Sequence, residues 1–591
     1  MGDGTTLDVF RRLRKFYRPY MGQLYASLFM LALSTALSLV YPYLLKLIID
    51  QVILQHQYNE LLLLIAGILV AALIKGVFNF GQQYMGQVFG IHTSYDLRNT
   101  LYKQLNRQSF SYYDEVHTGD LMSRLTADLD AFRQFLAFGF NSIVNFVLLV
   151  VFGLAMMVSL NPILTVCVVV LMPVLAFIAV RFDNHLWPAY QKVRRTLGQL
   201  NTAVQENIMG VRTVKSFAKE DFETDKFQQR NDSYYESNIR TAGLWNKYFP
   251  YMEFIGNLEV AIVLLVGGYF VMHGMMKLGD LVAFFSILWF ITVPMSQLGY
   301  LLNNWTQSVA AGERLLDILD ADNSVTSISN AYTGKSNGSV EFVHVGLSHG
   351  TSEILHDIHF SVYAGQTVAL LGVTGSGKSS LVNLIPRFYD AADGQVLVGG
   401  VDVRNWDLQS LRKEIGVVFQ ESFLFSTTIF ANIAYGNPEA TFEDVQKAAL
   451  LANADEFISQ LPNGYRTLVG ERGIGLSGGQ KQRLALARAI LVNPKILVLD
   501  DATSAVDMET EYMIHQALDH VMKGRTTFVI AHRISSLKRA DLILVLDDGR
   551  IVQRGRHEEL LREPGLYRVI YDMQFRDQED FSDLHSMAQG S

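Results

Sequence analysis

The sequence predicts a polytopic α-helical membrane domain joined in one chain to an α/β domain built around a phosphate-binding loop. Three observations carry this. Six apolar runs lie near residues 21–49, 60–80, 136–160, 162–182, 254–273 and 280–302. The octapeptide GVTGSGKS (Gly372–Ser379) stands between a short apolar stretch and a helical pattern. A second apolar stretch, Ile496–Leu499, ends on Asp500. Composition agrees: of 591 residues, 50% are hydrophobic and 18% charged, too apolar for a soluble chain and too polar for one lying wholly in lipid. The net charge of -8 is mild, and no basic arm marks a nucleic-acid partner. The single cysteine, Cys167, sits in an apolar run and reads as a small packing residue.

Each apolar run supplies the roughly 20 residues that cross about 30 Å of hydrocarbon as a helix. Six such runs before residue 310 are too many for buried core helices of a soluble protein. The first run is far longer than a signal-peptide core, and no small-residue cleavage site follows it. Pro42, Pro173 and Pro294 lie inside runs and predict kinks. Basic residues set the orientation. FRRLRKFYR near the N-terminus, Arg98 to Arg133, and Arg194 to Lys215 are rich in them, whereas the three short connections hold only Lys277. Positive charge marks the cytoplasmic side, so the expectation is a multi-pass plasma (inner) membrane protein with both termini and the α/β domain inside.

The two cytoplasmic connections, each roughly 50–65 residues, are too long for turns, and their apolar residues recur at helical spacing. They predict helices that continue on the order of 40 Å beyond the membrane. The reversal points expected are Ser111–Asp120 and Gly210–Asp221, tips able to carry force from the α/β domain. Lys46, Lys75, Glu253 and Glu259 lie in or beside apolar runs. Ionisable groups there contact cargo, form structural pairs or sit near the interface, and all three readings stay open.

The membrane domain is expected over 1–321 and a Ser/Asn/Gly-rich linker over 322–339. The α/β domain follows over 340–578, with a tail over 579–591. Val368–Leu371 reads as a strand, and GVTGSGKS fits a loop whose glycines let backbone N–H groups wrap phosphates at a helix start. Gly372, Thr374, Gly375, Ser376, Gly377, Lys378, Ser379 and Ser380 form the expected nucleotide-contacting set. Lys378 reaches the terminal phosphates, and Ser379 offers a hydroxyl to Mg²⁺. Asp500, at the end of a buried strand, is the second Mg²⁺ ligand expected. The motifs thus expect a nucleoside polyphosphate with Mg²⁺.

With these motifs in place the chain resembles a half-transporter of the ATP-binding cassette exporter family, multidrug-exporter type, over nearly its whole length. LSGGQ (Leu476–Gln480), between the two nucleotide motifs, matches the family signature. The resemblance implies that Ser477, Gly478, Gly479 and Gln480 bind the nucleotide held by an opposite subunit. It implies that Gln420 senses Mg²⁺ and touches the membrane-domain tips, and that Ser504–Asp507 crosses the dimer interface. His532 would contact the γ-phosphate; taken alone it would read as a structural histidine. The two reversal points match the family's coupling helices.

Two positions depart from the family pattern. His349 stands where a tyrosine usually stacks on adenine, and imidazole offers less area. Asp501 stands where a glutamate usually orients the attacking water, and it is one methylene shorter. A displacement of about 1 Å can cost on the order of 100-fold, or roughly 2.7 kcal/mol of barrier. A backbone shift that restores the reach is the alternative. The expectation is a slow site beside an intact signature. It fits one half of a heterodimeric exporter, preferred over a homodimer with an active Asp501. The cargo implied is a small amphipathic compound, drug-like or lipid, taken from the cytoplasm or the inner leaflet. A non-pumping regulatory subunit with ATP as ligand is a second reading. A soluble DNA-acting ATPase conflicts with the six spans.

Overall fold

The computed structural model describes residues 3–349, 352–500, 517–518, 520–531 and 537–574, with side chains placed from Asp8 to Met573. The chain divides into two compact units. Met1–Asn106 with His117–Ala321 makes one, and Arg107–Val116 with Asp322–Ser591 the other. The division departs from a single cut at residue 321 in one place, because Arg107–Val116 packs with the nucleotide unit.

Among the described residues six helices are long and apolar enough to cross a membrane. They are Asp8–Ile53, Tyr58–Leu105, Thr118–Leu160, Pro162–Met209, Glu220–Met272 and Leu278–Asp320. With 43 to 53 residues each they are far longer than a bilayer needs, running roughly 65–80 Å against about 30 Å of hydrocarbon. All three prolines expected to interrupt apolar runs mark breaks, since proline removes a helical N–H and crowds the preceding turn. The helix Val40–Leu47, holding Pro42, starts after a turn at Leu39. The helix Met172–Met209 has Pro173 in its first turn, and Leu278–Ser296 ends two residues after Pro294.

Small residues bring the second and third spans together. A Cβ on Gly86 would lie 2.6 Å from the Ala137 carbonyl oxygen, and one on Gly90 would lie 2.9 Å from the Ala137 Cβ. No larger side chain fits there without moving a backbone. Some of the charged groups near the spans are paired. Lys46 meets Asp280 at 2.6 Å. Asp50, 6% exposed, accepts the Gly279 N–H at 2.8 Å, so the first span caps the start of the sixth. Glu259 is fully buried and accepts from the Thr292 hydroxyl at 2.9 Å, while Lys75 is half-buried and Glu253 exposed.

The nucleotide unit holds ten strands among the described residues. They are β1 (Val340–His349), β2 (Ser352–Val362), β3 (Thr367–Gly372), β4 (Asp393–Val398), β5 (Val401–Asp402), β6 (Ile415–Val418), β7 (Ile496–Asp500), β8 (Thr526–Ile530), β9 (Leu542–Asp547) and β10 (Arg550–Gly555). They form an antiparallel sheet ordered β2-β1-β4-β5 and a second sheet ordered β10-β9-β3-β8-β7-β6. In the second, β9, β3, β8, β7 and β6 run parallel, and β10 is antiparallel at its edge. The parallel strands read as continuous aliphatic runs because both faces are covered; Leu497, Val498 and Leu499 are at most 1% exposed. Between the sheets Phe342 stacks on Phe360 at 4.7 Å, and buried Trp406 donates its indole N–H to the Val398 carbonyl. A second core, around Ile429, Val445, Ile458 and Leu484, packs the helices Phe442–Leu451 and Gly478–Leu491.

Candidate nucleotide site

The site forms along one edge of the parallel sheet. β3 and β7 flank β8, with Leu370, Ile530 and Asp500 in register through it. At about 4.8 Å per strand the ends of β3 and β7 stand roughly 10 Å apart. That gap suits a loop leaving β3 that faces a carboxylate ending β7.

The loop after β3 needs left-handed backbone, which glycine alone adopts without strain. Gly375 has φ 88 and Gly377 φ 94, and Gly377 caps the helix Lys378–Asn383. A Cβ on Gly377 would lie 2.7 Å from the Leu355 side chain. β2 therefore braces the loop. The hairpin that braces it also carries His349, exposed at the end of β1 and paired with Ser352.

Lys378 folds back over the loop. Its ammonium donates to the Gly372 and Val373 carbonyls at 2.9 and 2.8 Å. Burial pushes the ammonium below its usual range, and the negative charge of Asp500 opposes that shift. Ser376, 2% exposed, carries a hydroxyl with no hydrogen-bond partner among the described residues. A buried donor with no acceptor is costly. An oxyanion between Ser376 and Lys378 would satisfy the hydroxyl and give the lysine a better partner than two carbonyls. Thr374, Gly375 and Ser379 are exposed at the rim, and Ser380 is half-buried behind them. These residues fit a polyphosphate.

Gln420 lies two residues past β6, exposed. β6 pairs with β7, Val418 opposite Leu499, so Gln420 leaves the sheet at the same edge as Asp500. Ser379, Asp500 and Gln420 thus supply a hydroxyl, a carboxylate and an amide, the oxygen donors that a hard divalent cation takes.

Ser477 and Gly478 are exposed at the start of the helix Gly478–Leu491, while Gly479 is buried beneath them and Gln480 half-buried. The Ser477 hydroxyl accepts the Gln480 N–H at 3.3 Å, and the Gln480 side chain accepts the Ser477 N–H at 2.9 Å. This capping box fixes the loop from within and leaves the Ser477 hydroxyl proton free to donate outward. Asp501, Ser504–Asp507 and His532 lie outside the described residues.

Sequence reasoning missed an aromatic cluster that belongs to this unit. Phe110 stacks on Phe388 at 4.4 Å, and Phe388 on Phe419 at 6.0 Å. Arg412 lies 5.3 Å above the Phe388 ring. The signal was present, an aromatic pair (Phe388–Tyr389) just after the phosphate-loop helix and an aromatic-rich tip at 110–113. Nothing local joined them.

Residues 24–295 match the family described as ABC transporter transmembrane region, and residues 355–504 match the family described as ABC transporter. The chain is 46% identical over 584 residues to the uncharacterized ABC transporter ATP-binding protein YknU of Bacillus subtilis (strain 168), covering 98% of this chain and all of that protein. It belongs to the ABC transporter family. An ATP-dependent lipid A-core flippase of Syntrophus aciditrophicus (strain SB) is 33% identical, covering 97% of this chain and 95% of its own length. A solved structure of a bacterial Atm1-family ABC exporter with ATP bound superposes with a TM-score of 0.78 at 29% identity, covering 93% of this chain and 99% of that one. This ABC exporter is accordingly a multi-pass membrane protein and an ATPase coupled to transport.

Proposed function

We propose that the chain is the slow-site half of a heterodimeric exporter that moves amphipathic compounds, drug-like or lipid, out of the cytoplasm or inner leaflet of the plasma membrane. The observation that carries this is the pairing of a complete phosphate loop and an intact, outward-facing signature with Asp501 in place of glutamate. Lys378, Ser376 and the loop N–H groups bind the phosphates, and His349 takes the adenine face. Ser379, Asp500 and Gln420 hold Mg²⁺, which neutralises phosphate charge when bound. Asp501, one methylene shorter than glutamate, is assigned poor positioning of water, and His532 is assigned contact with the γ-phosphate.

Ser477, Gly478, Gly479 and Gln480 face the partner's nucleotide, so this chain completes a site where the partner supplies a glutamate. Closure of the two nucleotide units around ATP turns the membrane cavity outward, and hydrolysis at the partner's site resets it. Relatives named as multidrug export and lipid A-core flippase proteins support an amphipathic cargo.

The test is Asp501→Glu in the complex as purified from membranes. A rise in turnover at this chain's own site, up to about 100-fold, is expected. Unchanged turnover, or a homodimer that already hydrolyses ATP briskly, sinks the slow-site reading.

A further inference from the structure

A cavity of about 710 Å³ in the membrane unit lies between the third, fourth and sixth long helices. Its first wall is one face of the fourth helix. Asp183, Trp187, Gln191 and Arg194 follow at spacings of four, four and three, which stacks them along one stripe. Eleven residues of helix separate the two charges by roughly 16 Å. The facing wall is the sixth helix, with Gly299, Asn303, Gln307 and Arg314 at intervals of four, four and seven. At one end the helices touch, since a Cβ on Gly299 would lie 2.5 Å from the Asp183 Cβ.

The charges of this cavity are not equivalent. Arg314 gives two hydrogen bonds to Asp128, at 2.7 and 2.6 Å, and the two neutralise each other. Asp183 and Arg194 have no hydrogen-bonding or ionic side-chain partner among the described residues, and neither have the amides of Gln191, Asn303 and Gln307. The cavity thus offers an acidic end, a basic end and a run of uncommitted amides between them, with one indole at the acidic end. An apolar guest would strand those groups dry, which costs free energy for each one.

We infer that this cavity seats elongated zwitterions, with the cationic end at Asp183 beside Trp187 and the anionic end at Arg194. Amide-like groups between the charges meet Gln191, Asn303 and Gln307. A linear peptide of about five residues, at some 3.3 Å per residue, is the simplest guest of the right span. The inference rests on the export reading and adds a polar, zwitterionic class of cargo to the amphipathic compounds proposed above.

The exporter complex, reconstituted in liposomes, is assayed for ATPase stimulation by a Gly/Ser pentapeptide with free termini, by its N-acetylated form and by its C-amidated form. A lipophilic dye is followed separately for ATP-driven uptake into inverted vesicles. The free peptide is expected to stimulate, and either cap to weaken half-saturation about tenfold, the loss of one charge contact. Asp183→Asn removes the penalty of acetylation alone, and Arg194→Gln that of amidation alone. No stimulation by any peptide, or equal response to all three, overturns the zwitterion assignment. If the dye is still pumped, the export reading stands without it; if the dye is not moved either, that reading falls as well.

Discussion

Tyr389 donates its phenolic hydroxyl to the Asp114 carboxylate at 2.8 Å, joining residues 275 apart in sequence within one unit. Burial and the carboxylate together push the Tyr389 pKa well above its usual value, so the donor keeps its proton across physiological pH. The same short helix, Phe110–Glu115, is held by Phe110 stacked on Phe388.

The first prediction concerns this clasp. Tyr389→Phe removes one hydrogen bond to a charged acceptor, worth about 1 kcal/mol where solvent reaches it, and spares the ring packing. ATP affinity is expected to stay unchanged, while cargo moved per ATP hydrolysed falls severalfold. Phe110→Ala removes the stacked ring and lowers that ratio further. Parallel measurement of hydrolysis and uptake checks both, and an unaltered ratio in Phe110→Ala refutes a coupling role.

The phosphate loop gives the second. Gly375→Ala and Gly377→Ala both force a side chain into left-handed backbone, at about 1–2 kcal/mol each. Only at Gly377 does the new Cβ also meet Leu355, at 2.7 Å; at Gly375 nothing lies within 4 Å. Gly377→Ala is expected to lose nucleotide binding altogether and Gly375→Ala only in part, as read by titration with a fluorescent ATP analogue. The reverse order would show that β2 does not brace the loop.

A third test separates two roles of Ser477. Ser477→Ala removes the helix cap, at about 1 kcal/mol, together with the outward hydroxyl. Ser477→Asn keeps a capping oxygen but changes what faces a partner. If the serine matters only as a cap, Asn restores ATPase activity to the complex. The expected outcome is that Asn restores thermal stability and leaves turnover low.

The fourth lies where the first span meets the sixth. Asp50→Ala strips the acceptor from the buried Gly279 N–H, leaving an orphan donor that costs about 1–3 kcal/mol. A drop of several degrees in the melting temperature of the detergent-solubilised protein is expected, with ATP affinity intact. Lys46→Met leaves Asp280 half-buried without its cation and is expected to act in the same direction.

Local pattern carried the sequence reading a long way. The six spans, their three breaks and the phosphate loop were legible because hydrophobic length, proline and glycine each act within a few residues. The position of Asp500 followed from a strand that ends where its aliphatic run ends, whereas Gln420 was named by the family resemblance alone and its place at the same sheet edge came from the pairing of β6 with β7. What escaped has a common cause. The transfer of Arg107–Val116 to the nucleotide unit depends on Phe110 meeting Phe388, and no periodicity encodes a contact across 278 residues. The pairing of Lys46 with Asp280 escaped likewise, which is why Lys46 read equally well as a cargo contact. Glu259 turned out fully buried and bonded to Thr292, a state that sequence alone could not tell from a cavity-facing acid.

The helix Phe110–Glu115 has a practical consequence for dissecting this protein. A fragment cut to begin at 322 would leave Phe388 and Tyr389 without the ring and carboxylate that cover them. Bare aromatic surface of that kind is sticky. Such a fragment is poised to self-associate in dilute buffer, and supplying a synthetic peptide of residues 107–116 is the rational way to keep it in solution.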